Sequence, residues 1–220
     1  MGAGSASSAL CCALPLTPTI PARRKCWGRN DNGQLGLGDT LDRGDEANEM
    51  GANLPSVDLG ANWTVVEVAA GGYHTSGHTC ARLENGAARA VKCWGRNNHG
   101  QLGLGDMTDR GHVGGGMGGN LSAVQLGTGR SAVALSLGWG HSCALLDDAS
   151  VKCWGENAGT LGQGDRNNRG DVGGEMGDIL PAVDLGDGRT AVQIATGDSH
   201  TCALLDNAQL CVPHPSPPPG

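Results

Sequence analysis

Short apolar runs alternate with turns rich in glycine and aspartate along most of the chain. Residues 121–165 show the pattern best, with four runs separated by turns: Ala123–Leu126, Ala132–Leu137, His141–Leu146 and Val151–Trp154. Runs of this length between turn residues are typical of β-strands, and four such strands make one blade of a β-propeller. The pattern therefore predicts a four-stranded blade.

The same pattern occurs before and after this unit. The preceding strands are predicted at 55–59, 65–69, 78–83 and 90–94, and the following strands at 181–185, 191–195, 200–205 and 208–211. The segment Lys-Cys-Trp-Gly begins at Lys25, Lys92 and Lys152, and each copy is followed by a Gly-rich loop that ends in Gly-Asp. A period of about 60 residues indicates a repeat array in which each unit packs on its neighbours.

The predicted fold is all-β, an incomplete β-propeller arc of about three four-stranded blades plus a half-blade. Repeats are predicted over residues 12–212, with hairpins near 12–27, 78–94, 141–154 and 200–211. A poorly structured segment is predicted at 1–11 and a Pro-rich disordered tail at 213–220. Because propellers close with roughly four to eight blades, the chain is a piece of a longer protein, an open arc or a self-associating unit, and we favour the first.

Two repeated motifs carry a resemblance to a known family. The first is Gly-x-x-His-[Thr/Ser]-Cys-Ala-Leu at Gly138–Leu145 and Gly197–Leu204, and the second covers Val91–Asp106. Together they resemble the regulator of chromosome condensation repeat family, over nearly the whole stretch from Cys12 to Cys211. The resemblance implies a β-propeller that usually has seven blades.

Composition and charge narrow the function classes. Glycine accounts for 39 of 220 residues and phenylalanine is absent, so the core must be built from Val, Leu, Ala and Trp. The net charge of −7 offers no electrostatic footprint for nucleic acid. No apolar stretch reaches the ~20 residues that span a bilayer. Neither a nucleic-acid nor a membrane partner is therefore expected.

Eight of the nine cysteines fall at equivalent repeat positions and leave Cys11 over. They are predicted to form disulfides across the hairpins as Cys12–Cys26, Cys80–Cys93, Cys143–Cys153 and Cys202–Cys211. Loops of four, three and two residues would place the partners of the last three pairs directly opposite each other. The alternative is a set of small buried thiols in a reduced protein. Disulfides indicate an extracellular or secretory protein and free thiols a cytosolic or nuclear one, so the compartment is unknown.

Two aromatic residue types also recur once per repeat. The tryptophans that follow the blade cysteines, Trp27, Trp94 and Trp154, are predicted to pack between blades. The histidines, His78, His141 and His200, are predicted to be structural, each with a hydrogen bond from the imidazole to a turn backbone. Catalysis would need one distinctive histidine beside a nucleophile. No catalytic residue is therefore predicted.

Acidic residues follow each Gly-Asp at threefold spacing. They are Asp39, Asp42 and Asp45, then Asp106 and Asp109, then Asp165 and Asp171. Oxygen ligands in this arrangement could hold Ca²⁺, but the loops lack the central Gly and terminal Glu of an EF-hand. Solvated turns are the preferred interpretation, and no metal or cofactor is predicted.

These observations predict a non-catalytic protein-binding repeat module, part of a larger repeat protein and not an enzyme. Repeated loops on one face make a broad recognition surface. Its partner is expected to be a protein of unknown identity, and self-association through open sheet edges is a further option. The family resemblance implies two alternatives: a regulator of a small GTPase that acts like a guanine-nucleotide exchange factor, or an accessory domain of a ubiquitin ligase or chromatin-associated protein.

Overall fold

The computed structural model describes residues 11–13, 24–74 and 76–211. Eleven strands and one 3-10 helical turn (Gly118–Asn120) occur in this part of the chain. The strands are β1 (Cys11–Ala13), β2 (Lys25–Trp27), β3 (Thr64–Tyr73), β4 (Ser76–Asn85), β5 (Ala88–Gly95), β6 (Ala132–Leu137), β7 (His141–Leu146), β8 (Val151–Gly155), β9 (Ala191–Thr196), β10 (Thr201–Leu205) and β11 (Leu210–Cys211). The predicted tail at 213–220 and all of segment 1–11 except Cys11 lie outside the described residues.

Antiparallel sheets follow one another along the chain. Strands β1 and β2 form a half-blade, β3-β4-β5 form blade 1, β6-β7-β8 form blade 2, and β9-β10-β11 form blade 3. The inner strands β3, β6 and β9 contact one another in order. Ser136 Oγ in β6 lies 2.8 Å from Thr196 Oγ1 in β9, and Leu135 N donates to Glu67 Oε1 of β3. The all-β propeller arc is therefore confirmed.

The first strand predicted in each four-stranded unit is not found in the structure. The segments at 55–59, 123–126 and 181–185 are extended but are not strands. Each lies along the outer edge of the preceding sheet, where Val57 N donates to Arg24 O, Val124 N to Val91 O and Val183 N to Val151 O at 2.7–2.8 Å. Pro55 and Pro181, two residues before the bonded valines, have no N–H that could extend the ladder. The three blades are thus three-stranded sheets, and a segment of the following repeat lies along the half-blade, blade 1 and blade 2.

Apolar side chains fill the spaces between consecutive sheets. Trp154 and Leu102 lie in the cluster between blades 1 and 2, and Leu161 lies in the cluster between blades 2 and 3. Trp94 and Leu35 lie in the cluster between the half-blade and blade 1. The core of the described residues is built mainly from Val, Leu, Ala, Cys and Trp, with Ile194 in addition. Among the described residues, no helix is long and apolar enough to cross a membrane.

Two cross-strand disulfides join the middle and outer strands. Cys80 is bonded to Cys93 and Cys143 to Cys153, with Cα atoms 4.1 Å apart in each pair. All four side chains are fully buried. Cys26 is also disulfide-bonded, and the strand register places it opposite Cys12, whose side chain lies outside the described part of the chain.

The predicted Cys202–Cys211 disulfide is wrong, because Cys202 is a free thiol. The hairpin of blade 3 has the same three-residue loop as that of blade 2, and both loops end in a left-handed alanine, Ala208 and Ala149. One residue fewer separates the two cysteines of blade 3, so Cys211 pairs with Ala203 in the register. A shift of one residue moves a side chain to the other face of the sheet. Cys202 and Cys211 are therefore not opposite each other in the strand register.

Removing a blade disulfide should lower stability measurably. The Cys143→Ala/Cys153→Ala variant is expected to lose about 2.5–3 kcal/mol of unfolding free energy, because the bridge closes a short loop in the unfolded chain. Urea unfolding followed by tryptophan fluorescence measures this loss. Cys202→Ala is the matched control and should change the midpoint little, since its thiol is free and half-buried. Equal midpoints for the double variant and the wild type would contradict the prediction.

Candidate functional site

The recurring histidine and tryptophan meet at the joint between two blades. Ser142 Oγ of blade 2 donates to Gln101 O, 2.8 Å away in the loop after blade 1. The same hydroxyl lies 2.9 Å from His78 Nε2, so it accepts the imidazole N–H. Trp154 Nε1 donates to the same Gln101 carbonyl at 3.0 Å. One loop carbonyl thus binds two side chains of the next blade.

The same joint occurs elsewhere in the array. Between blades 2 and 3, His141 Nε2 lies 3.1 Å from Thr201 Oγ1, which donates to Thr160 O at 2.9 Å. Between the half-blade and blade 1, Thr79 and Trp94 both donate to Gln34 O at 2.9 Å. The predicted bond from the imidazole to a turn backbone is therefore wrong for His78 and His141. Each binds a hydroxyl of the next blade, and that hydroxyl binds the loop backbone.

Burial governs the charge of these histidines. Desolvation, with a smaller contribution from His141, lowers the pKa of His78 to about 3. Desolvation and His200 lower the pKa of His141 to about 4. Both imidazoles are neutral near pH 7, and their side chains, like that of Ser142, are buried away from any substrate. The His–Ser pair therefore stabilises the joint.

Three of the acidic residues considered as Ca²⁺ ligands, Asp39, Asp106 and Asp165, bind groups of their own loop. Asn97 Nδ2 donates to Asp106 Oδ1 and to the Asp106 carbonyl, and Arg110 Nη2 donates to Asp106 Oδ2 at 2.6 Å. Partial burial raises the pKa of Asp106, but the hydrogen bonds from Arg110 and Thr108 outweigh it, so the pKa lies below its usual value. The same contacts recur around Asp39 and Asp165. In the part of the chain that the structure describes, no group of His, Cys, Asp or Glu is placed to hold a metal.

A third repeated contact involves the lysines of Lys-Cys-Trp-Gly, whose role the sequence analysis missed. Each ammonium donates to the carbonyl of a glycine that follows a methionine in the next long loop. The pairs are Lys25 and Gly51, Lys92 and Gly118, and Lys152 and Gly177. Burial lowers the pKa of Lys92, and Asp58 partly offsets this effect. The sequence contains a pattern that could have revealed this contact, because a Met-Gly pair follows each lysine by about 25 residues and one such contact per repeat would explain it.

The long loops 39–53, 106–120 and 165–180, which we call the loop rim, expose apolar side chains. Six large apolar residues there are 42–74% exposed: Leu41, Met50, Met107, Val113, Val172 and Ile179. Among the described residues, only Tyr73, Val133 and Val192 are comparable elsewhere. An open cavity of about 310 Å³ lies beside the rim, between the loops that follow blades 1 and 2, and is lined by Leu104, Ala123 and Met176 among others. Exposed apolar side chains that are concentrated in one set of loops are a feature of interaction sites.

Carboxylates surround these apolar positions. Residues 39–49 contain five acidic residues, Asp39, Asp42, Asp45, Glu46 and Glu49, against a single basic residue, Arg43. Glu49 accepts hydrogen bonds from Gly44 N and Glu46 N, and these bonds hold its pKa below the usual value. The loop rim is therefore an acidic surface with apolar spots, which suits a protein partner better than a small substrate.

The repeats match a known family. The sequence model described as "Regulator of chromosome condensation (RCC1) repeat" matches residues 26–77, and a second model with the same description matches 65–101 and 132–163. The chain is 29% identical over 198 residues to the ultraviolet-B receptor UVR8 of Arabidopsis thaliana, covering 89% of this chain and 38% of that protein. It is 30% identical over 186 residues to the human probable E3 ubiquitin-protein ligase HERC3, covering 84% and 15% respectively.

Solved structures show the same fold. The crystal structure of human WBSCR16 superposes with a TM-score of 0.59 at 19% identity, covering 86% of this chain and 42% of that one. Prp20p of Saccharomyces cerevisiae superposes with a TM-score of 0.57 at 20% identity, covering 91% and 42%. The chain thus spans less than half the length of each of these relatives.

Proposed function

The chain belongs to the RCC1 repeat family, and from this premise we propose that it is a non-catalytic protein-binding module that uses its loop rim. The observation that carries the proposal is the concentration of exposed apolar side chains on the rim, six residues that are 42–74% exposed. Protein interfaces are centred on such apolar anchors and are bordered by polar groups. The carboxylates of residues 39–49 supply that polar border.

The positions of the recurring reactive groups support a role without catalysis. His78, His141 and Ser142 are buried at blade joints, and the Asp39, Asp106 and Asp165 carboxylates are bound by arginine and asparagine of their own loops. A nucleophile and a base must reach a substrate together. The recurring histidines and carboxylates are therefore not offered to a substrate as such a pair, and a binding role needs none.

Two narrower roles are alternatives within the same proposal. Prp20p is described by its binding to Gsp1p and histones, which motivates a role as an exchange factor for a small GTPase. HERC3 is a probable ubiquitin-protein ligase, which motivates a role as an accessory domain. Both roles would use a binding surface, and the chain spans only a minor part of either relative. The general binding role therefore has the better support.

The test compares three forms of the full chain as bait. The rim variant carries Leu41→Ser, Met107→Ser and Val113→Ser. The control carries Val133→Ser and Val192→Ser, which change the exposed second residues of β6 and β9 outside the loop rim. A partner bound through the rim should be retained by the wild type and the control. Its affinity for the rim variant should fall about tenfold or more, since loss of ~1.4 kcal/mol is tenfold in Kd.

Equal binding by all three forms, or binding lost only in the control, would overturn the use of the loop rim. A nucleotide-release assay with purified small GTPases then separates the alternatives. Acceleration of release by the chain would replace the general binding role with nucleotide exchange. Circular dichroism of each variant checks that the fold is intact.

A further inference from the structure

We propose that Asn62 and Asn120 are acceptors of N-linked glycans, so that this protein is a glycoprotein of the secretory pathway. Asn62-Trp63-Thr64 and Asn120-Leu121-Ser122 are the two places in the sequence with the pattern Asn-x-Ser/Thr, in which x is not proline. Glycosylation would be a property separate from binding at the loop rim. The repeat positions of these residues, their exposure and the blade disulfides support the assignment.

The first site arises where one repeat differs from the other two. Asn62 occupies the turn position that Gly129 and Gly188 occupy in the following repeats. All three residues are left-handed, with φ between +66° and +69°. Glycine adopts this conformation at no steric cost, whereas asparagine only tolerates it. The turn therefore does not require the asparagine that completes the acceptor sequence.

The second site depends on another difference between repeats. Ser122 stands where the other repeats have Pro55 and Pro181, and each of the three residues follows a leucine. The backbone at this position suits proline, because Leu121 is extended with a φ of −76° and a ψ of +113°. Serine is therefore not required by the fold, but it completes the acceptor sequence of Asn120.

The Asn62 side chain has room for a glycan in the folded protein. Asn62 and Thr64 are both exposed. A Cβ added at the equivalent Gly129 or Gly188 would have no atom within 4 Å, so a side chain at this turn leads into open space. N-linked glycans are bulky and lie on protein surfaces. The turn before β3 meets this requirement.

The Asn120 amide makes a contact that is compatible with a glycan. Asn120 is exposed, and its Nδ2 donates to Gly115 O at 2.8 Å. Asn53 Nδ2 donates to Asn48 O at the same distance, although Asn53 is not in an acceptor sequence. The contact is therefore a feature of the repeat. A glycosylated asparagine keeps one N–H on its amide nitrogen, so a donor for Gly115 remains.

The two sites lie on the same side of blade 1. Lys92 Nζ on the outer strand β5 donates to Leu59 O at 3.0 Å and to Gly118 O at 2.7 Å. This ammonium joins the turn that contains Asn62 to the 3-10 turn that ends at Asn120. The two glycans would therefore lie near each other at the outer strand of this blade.

The disulfides support a compartment in which such glycans are added. Cys80 is bonded to Cys93 and Cys143 to Cys153, and all four side chains are fully buried. Structural disulfides form and persist in oxidising compartments such as the lumen of the endoplasmic reticulum. Exposed acceptor sequences and buried disulfides in one chain therefore indicate the same pathway.

The glycan donor would be an oligosaccharide linked to a lipid diphosphate, which the oligosaccharyltransferase of that compartment uses. The asparagine Nδ2 forms a bond to C1 of the first sugar while the bond from C1 to the diphosphate oxygen breaks. The electron pair of the broken bond leaves with the lipid diphosphate. The amide nitrogen gives up one proton to a base of the transferase, so no oxidant or reductant is needed.

Expression of the full chain behind a cleavable secretory leader in cultured eukaryotic cells tests the proposal. Peptide-N-glycosidase should increase the gel mobility of the wild type. Asn62→Gly and Ser122→Pro should each lose one of the two glycans, and the combined variant should lose both. Each substitution introduces the residue that other repeats carry, so the fold should be retained. Thr64→Ser is the matched control, because it preserves the acceptor pattern and should keep both glycans.

The protein made by its own cells supplies the second measurement. Deglycosylation in water labelled with heavy oxygen, followed by peptide mapping, should find labelled aspartate at positions 62 and 120. Circular dichroism of the deglycosylated variants checks that each is folded. A wild type whose mobility does not respond to the glycosidase, or a native protein with both asparagines unmodified, would overturn the proposal.

Discussion

Replacing Gly100 with alanine should lower the unfolding free energy by roughly 4 kcal/mol, the sum of a left-handed backbone and an overpacked contact. Gly100 has a φ of +76°, and a Cβ there would lie 2.3 Å from Asp171 N and 2.6 Å from Gly170 C. Both atoms belong to the backbone of the next repeat, which cannot move aside as a flexible side chain could. The loop after blade 1 would have to separate from the loop after blade 2.

Gly159 is a matched control within the same chain. It occupies the same repeat position with a φ of +100°, but no atom lies within 4 Å of the Cβ that alanine would add. Gly159→Ala should therefore show only the backbone cost, on the order of 1–2 kcal/mol. Urea unfolding monitored by tryptophan fluorescence measures the difference between the two variants. Equal losses would mean that contact between the repeats adds nothing to stability.

Three of the four strands predicted for each blade and two of the three tested cysteine pairs were predictable because they depend on local chemistry. Turn residues such as Asn85-Gly86 and Asp147-Asp148 mark hairpins, and alternating apolar residues set the register. The Cys202–Cys211 prediction failed because it assumed a two-residue loop in the hairpin of blade 3. Blade 3 adopts the same three-residue loop as blade 2, with Ala208 in the left-handed region, and this loop shifts the register by one residue.

The site was less predictable because it depends on contacts between repeats. The sequence shows that His78 and Ser142 recur at equivalent positions, but they are 64 residues apart and meet only when two blades pack. The lysine contacts are similar, since Lys92 reaches Gly118 across a loop of 26 residues. Periodicity shows that a contact repeats, whereas the choice of partner atom follows from the angle between sheets.

Acidification should destabilise the protein well before its carboxylates titrate. Burial lowers the pKa of His78 to about 3 and of His141 to about 4, whereas an unfolded chain has a histidine pKa near 6.5. The unfolded state therefore binds more protons throughout the window between these values. The stability that the neutral imidazoles contribute is complete above pH ~6.5 and is lost as the pH falls toward about 4. Carboxylates such as Asp106, whose pKa is below its usual value, lose their contribution only at lower pH.

Each buried histidine accounts for about 1.4 kcal/mol per pH unit in this window, so His78 and His141 together should remove about 5 kcal/mol between pH 6.5 and pH 4.5. Urea unfolding at half-unit pH intervals measures the slope. His78→Gln retains an N–H donor for Ser142 Oγ but does not titrate, so its slope should be about half that of the wild type. Apart from burial, the pKa of His78 responds to His141, and that histidine remains in the variant and continues to titrate. A stability that is flat between pH 6.5 and 4.5, or a His78→Gln slope equal to that of the wild type, would show that the joint histidines are not the groups that respond to acid.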